Sequence, residues 1–144
     1  MRRKYLSMVK EIILIRTLRK LLRVAKRRKR YKEILKGIPV YLKTKVVGTR
    51  EKGIYVKGCF FYYGKNKRIE LYLGSIKECC GHKDKITIGL DLLQVLFHEI
   101  HHVRQYHSRK SFWDYHNNAK RGKFEGLAEV WSRKEIEKFC HTLT

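Results

Sequence analysis

The chain has 144 residues, with 35 Lys and Arg against 13 Asp and Glu, a net charge of +22 and a pI near 10.1. That length fits one domain, and 43% apolar residues suffice for a buried core, which excludes disorder of the whole chain. The apolar run Ile12 to Ile15 stops at Arg16, so neither a membrane-spanning helix nor a secretory leader is expected, and the chain reads as soluble, intracellular and cytoplasmic.

The charge is concentrated at the start. Residues 1–36 hold fifteen Lys and Arg and only two acids, Glu11 and Glu33, a net +13. Leu6, Val9, Ile13, Leu14, Leu18, Leu21, Leu22 and Ala25 recur near helical spacing with cations between them, which predicts a basic amphipathic helix. A basic run from Lys26 to Lys32 follows, and Gly37 and Pro39 end the segment. We therefore separate a basic helical segment, 1–36, from a domain spanning 37–144. The segment suits contact with nucleic acid or another polyanion, or with an anionic membrane, or else packs as a helix with a solvated polar face. Neither a helix-turn-helix, finger nor RNP-type pattern is present, so nucleic acid would be held by its backbone.

Beyond Pro39 the period shortens. Val40 to Val47, Ile54 to Tyr63 and Arg68 to Leu73 are β-branched and aromatic runs closed by Gly48, Gly64 and Gly74, which predicts an antiparallel meander, with Lys85 to Ile88 as a fourth strand. A helix is expected from about Leu90 to Tyr106 with Asp91 in its first turn, then a loose stretch from Ser108 to Gly122, then a helix over about 123–140. The fold class is α+β. Cys59, Cys79, Cys80 and Cys140 lack C-x-x-C spacing and read as reduced thiols. The alternative is that Cys79, Cys80 and His82 hold a second metal.

Within the helix at 90–106 stands His98-Glu99-Ile100-His101-His102, an H-E-x-x-H pattern. The i, i+4 spacing sets His98 and His102 one turn apart on one face, where both imidazoles reach a single metal ion. Glu99 lies beside that face, placed to take a proton from a metal-bound water. Leu92, Leu93, Leu96, Ile100 and Val103 fill the opposite, core-facing stripe. A zinc site of this kind needs a third protein ligand and an open position. A metzincin would place a histidine at position 108, which is Ser108. His116 and Glu125 are the remaining candidates.

His116 stands about as far past His102 as the third histidine of SprT-like proteases, a distant similarity. The second resemblance is more specific. H-E-x-x-H followed by Glu125-Gly126-Leu127-Ala128-Glu129 resembles the gluzincin branch of the zincin metallopeptidases, as in the aminopeptidase N-like enzymes, over about Arg68 to Trp131. The resemblance implies a minimal zincin-like fold with Zn2+ bound by His98, His102 and Glu125. It implies Glu99 as general base, and small residues at 126 and 128 that let the Glu125 helix pack close. It further implies that Glu129 orients a ligand histidine and that Ile69 to Leu73 forms an edge strand pairing with a peptide or protein substrate. The activity implied is a zinc metalloprotease hydrolysing peptide bonds through a zinc-activated water. Tyr106, His107, Tyr115 and His116 are the candidates to steady the oxyanion. The competing reading is a non-enzymatic nucleic-acid-binding protein with a structural or degenerate zincin core.

Overall fold

The computed structural model describes residues 2–49, 51, 53–81, 84–119 and 122–143. Among these, the chain forms α1 (Arg2–Lys26), α2 (Lys29–Ile34), β1 (Val40–Lys43), β2 (Gly48–Thr49), β3 (Ile54–Tyr55), β4 (Gly58–Phe61), β5 (Arg68–Tyr72), α3 (Leu73–Cys79), α4 (Lys85–His107), α5 (Phe112–Ala119) and α6 (Lys123–Leu143). This is an α+β architecture in which a small sheet and the flanking helices surround α4. Among the described residues, no helix is long and apolar enough to cross a membrane.

The sheet is mixed, in the order β1-β5-β4, rather than the expected antiparallel meander. β1 runs parallel to β5, from Val40 opposite Ile69 to Lys43 opposite Tyr72, and β4 runs antiparallel on the other side, from Gly58 opposite Leu71 to Phe61 opposite Arg68. β5 is therefore central and not the expected edge strand. Its residues from Ile69 to Tyr72 are all buried, as suits a strand covered on both faces. The strand beside α4 with an unpaired edge among the described residues is β4. The run expected as one strand from Ile54 to Tyr63 is split: its start pairs with β2 in a two-residue hairpin, and Val56 and Lys57 lead into β4. Gly48 opens that hairpin at φ +101°, with a carbonyl where any side chain would begin.

α4 starts at Lys85, so the expected fourth strand is its first turn. Asp84 caps the helix, accepting from the Thr87 amide at 2.9 Å, and this local cap overrides the strand-like composition of Lys85 to Ile88. Asp91, expected in the first turn, instead accepts a hydrogen bond from Cys80. Ile88, Leu92, Leu93, Leu96, Phe97, Ile100 and Val103 are all buried, matching the apolar stripe. β4 approaches this helix closely at Gly58, where a Cβ would sit 2.6 Å from Val95.

Leu14, Leu18, Leu22 and Ala25 of α1 lie in the same core, with Tyr31, Leu35 and Ile38. Leu6, Val9 and Ile13 do not; they are exposed. α2 is clasped to α6, since Tyr31 donates to the buried Glu135 carboxylate and Arg30 pairs with it at 2.9 Å. The stretch expected to be loose holds α5, because Asn118 bonds back to the carbonyl and side chain of Asp114 at 2.7 and 3.0 Å within the helix. Its polar residues thus close a turn instead of breaking one.

Candidate metal centre

Two helices build the site. α4 offers His98, Glu99 and His102, and the first two turns of α6 offer Glu125 and Glu129. The start of α6 is seated by Phe124 and Ala128, both buried, with the Phe124 ring stacked on Tyr115 at 5.4 Å. Ala128 is thus the small residue that lets α6 pack close. Gly126 is not, since a Cβ there would meet nothing within 4 Å.

The Nε2 atoms of His98 and His102 lie 3.1 Å apart. The Glu125 carboxylate faces both, at 2.9 Å from His98 and 3.0 Å from His102. The outer nitrogens are fixed by other partners. A carboxylate faces each ring nitrogen of His98, Glu129 Oε2 at 3.2 Å from Nδ1 and Glu125 Oε2 at 2.9 Å from Nε2; with a cation on Nε2, the proton of neutral His98 would sit on Nδ1. Gln94 steadies that carboxylate from 3.1 Å. His102 Nδ1 meets Gln105 Oε1 at 2.8 Å, while Gln105 Nε2 donates to the Phe124 carbonyl at 3.1 Å. Because the amide nitrogen is committed to a carbonyl, its oxygen faces His102, an arrangement that favours a proton on Nδ1.

The two Nε2 atoms and the Glu125 carboxylate, with Oε2 toward His98 and Oε1 toward His102, therefore cluster within about 3 Å of one another. Such a set could hold a cation. Neutral histidines and a carboxylate suit zinc, and the 2.9–3.1 Å separations approach the roughly 3.3 Å between donors of a tetrahedral centre with bonds of about 2.0–2.1 Å. Without a metal, protons take its place. Burial works against charging His98 and His102, but Glu125 and the neighbouring Glu99 outweigh it, and both pKa values are raised. Hydrogen bonds from His102 and His98 hold the Glu125 carboxyl far below its usual range.

Among the described residues, His98, Glu99 and His102 present ligand-type atoms within 4.8 Å of one another. Glu99 is buried, and burial raises its pKa against the opposing pull of His102 and His98, while the Phe60 amide donates to it. Clefts open on both sides. One of about 410 Å³ runs between Tyr55–Gly58 and the His98, Glu125 and Glu129 side chains. Another of about 250 Å³ lies between Cys59, Phe60 and Tyr62 and the Glu99, His102 and Tyr115 side chains. Burial, helped by Glu99 and Glu70, pushes the Cys59 thiol up to about 11, so it stays protonated at neutral pH.

The remaining candidates are placed differently. His116 Nδ1 is engaged by the hydroxyls of Tyr62 and Tyr63 at 2.8 and 3.1 Å, and its ring stacks on Phe112, so it belongs to an aromatic cluster. Tyr115 lines the second cleft beside Glu99 and His102; Tyr106 packs against Phe60 and Tyr62, and His107 is exposed. The four cysteines are free thiols; Cys79 is exposed, Cys80 is buried on Asp91, and His82 lies outside the described residues. Gln105 and Gln94 are positions around the candidate site that the sequence did not single out. Their only sequence signals are helical: Gln105 lies three residues after His102 and Gln94 four before His98. Comparison with family models, curated proteins and solved structures finds no match for this chain.

Proposed function

We propose that this protein is a zinc-dependent metallopeptidase. The observation that carries the reading is the convergence of the His98, His102 and Glu125 donor atoms, with Glu129 and Gln105 set behind the two imidazoles at Nδ1. Three donors leave a position open, as catalytic zinc sites do, whereas a structural site would be closed by a fourth. The Glu125 side chain is 66% exposed, so the open side meets the clefts and solvent. This favours catalysis over a purely structural centre.

Zinc, when bound there, supplies a Lewis acid that acidifies a water and polarises the scissile carbonyl. The chain's own residues do the rest. Glu129 and Gln105 hold the imidazoles in the tautomer that presents Nε2. Glu99 accepts a proton from the attacking water as the new C–O bond forms, then delivers it to the amine nitrogen as the C–N bond breaks. Its burial raises its pKa from the usual carboxylate range, which suits a group that must both take and return a proton. The free edge of β4 offers backbone groups to an extended peptide, the role expected of β5 from sequence. Tyr115 is the hydroxyl best placed to steady the oxyanion, since it shares a cleft with Glu99 and His102.

The test is cleavage of an unfolded protein such as casein by zinc-loaded wild type and Glu99→Gln, with zinc content measured on both. Glu99→Gln should keep its zinc and lose about 10²–10⁴-fold in rate. Equal rates in the two proteins, or no cleavage by zinc-loaded wild type, would refute the proposal.

A further inference from the structure

The polarity of α1 reverses along its length. From Leu14 onward Leu14, Leu18, Leu22 and Ala25 face the core, and Val24 is the exposed exception. In the first three turns the apolar residues face away: Tyr5, Leu6, Met8, Val9, Ile12 and Ile13 are each at least 45% exposed. At about 100° per residue, the arc continuing the core side there carries Lys4, Ser7 and Glu11. Glu11 is paired with Lys77 of α3 at 2.8 Å, which pins the helix in this rotation. The outward arc that starts with Tyr5, Met8, Val9 and Ile12 continues with Arg16, Arg19, Lys20 and Arg23. Those four, with Lys26 and with Lys43 of β1, line a groove of about 820 Å³, and no acid among the described residues lines it.

One face of α1 is thus apolar at its tip and cationic behind, with the two patches centred roughly 16 Å apart at 1.5 Å per residue. We infer that this face docks α1 obliquely onto an anionic lipid bilayer, the apolar tip entering the headgroup and acyl boundary and the cationic groove receiving lipid phosphates. Interfacial helices combine these two features. Charge selects the occupant. A second copy would bring another +22 against the same cations. A nucleic-acid backbone would satisfy the groove but would leave six apolar side chains in water. An anionic bilayer complements both halves. The surface is separate from the proposed chemistry, and its test requires no activity.

The experiment is co-sedimentation of the full chain with vesicles of phosphatidylcholine alone and of phosphatidylcholine with phosphatidylserine. Two variants accompany it, Val9→Glu with Ile12→Glu, and Arg16→Gln with Arg19→Gln and Arg23→Gln. All five positions are exposed, so the fold should persist, checked by circular dichroism. Wild type should bind the anionic vesicles and largely ignore the neutral ones. The triple variant should lose roughly 10²-fold in partitioning, and the apolar-face variant at least about tenfold at the same net cationic groove. Anionic-vesicle binding unchanged by Val9→Glu with Ile12→Glu would overturn the inference. So would a wild-type dimer made monomeric by that variant, which would assign the face to a second copy. Failure to bind vesicles together with tight, salt-sensitive binding of RNA or DNA would assign the groove to nucleic acid instead.

Discussion

Replacing Glu125 by alanine removes the carboxylate that touches both His98 and His102, at an exposed position in the first turn of α6 where no cavity results. The magnitude follows from the spacing. Even screened as in bulk water, a dication about 3 Å from a carboxylate gains about 3 kcal/mol, and partial desolvation raises this. That corresponds to a loss of at least roughly 10²-fold in zinc affinity. Glu129→Ala, which leaves the three proposed donors in place and removes the partner of His98 Nδ1, should cost less, about 10–100-fold. The assay is competition with a chromophoric zinc chelator near neutral pH, with circular dichroism to verify the fold. Zinc affinity in Glu125→Ala within about threefold of wild type, alongside abolished binding in His98→Ala, would place the third donor elsewhere and refute the convergence of lone pairs as its cause.

Gly58→Ala puts a methyl group 2.6 Å from Val95 and should destabilise the protein by about 1–3 kcal/mol in urea denaturation. Adding Val95→Ala should return part of that loss, and an additive double variant would show that the contact is not the cause. His101 stacks on Trp131, and burial, followed by the positive charges of Arg104, His102 and His98, depresses its pKa from 6.5 to about 4. The unfolded chain therefore takes up this proton while the folded chain refuses it, so His101 contributes stability above pH 6.5 that is lost as the pH falls toward 4. In metal-free protein, the pH dependence of unfolding across that window should be shallower in His101→Phe than in wild type.

Local signals in the sequence carried the helical half of the fold and one side of the site. The i, i+4 spacing of His98 and His102 and the apolar stripe from Leu92 to Val103 follow from helix geometry alone. Glu125 was reachable only through the resemblance of its segment, because no spacing rule states which residue of a later helix meets that pair. The parallel pairing of β1 with β5 joins residues far apart in sequence, and strand composition is indifferent to its direction. Gln105 escaped notice because its role depends on the Phe124 carbonyl, supplied by another helix. The reversal in α1 does not show in periodicity, because its apolar residues before and after Leu14 recur at the same helical spacing. The ion pair between Glu11 and Lys77, which fixes the rotation, is invisible to periodicity.

The clasp between α2 and α6 joins the basic segment mechanically to the proposed metal centre. Glu135 is 1% exposed, and its carboxylate is compensated by Tyr31 and Arg30, both within residues 1–36. The same helix, ten residues earlier, carries Glu125. A chain trimmed of its first 36 residues would therefore keep every proposed ligand yet leave a buried charge without these two partners in the helix that supplies the third donor. Shortening this protein to residues 37–144 should therefore weaken the proposed centre: the segment that would be discarded as a tether also braces the helix that carries Glu125.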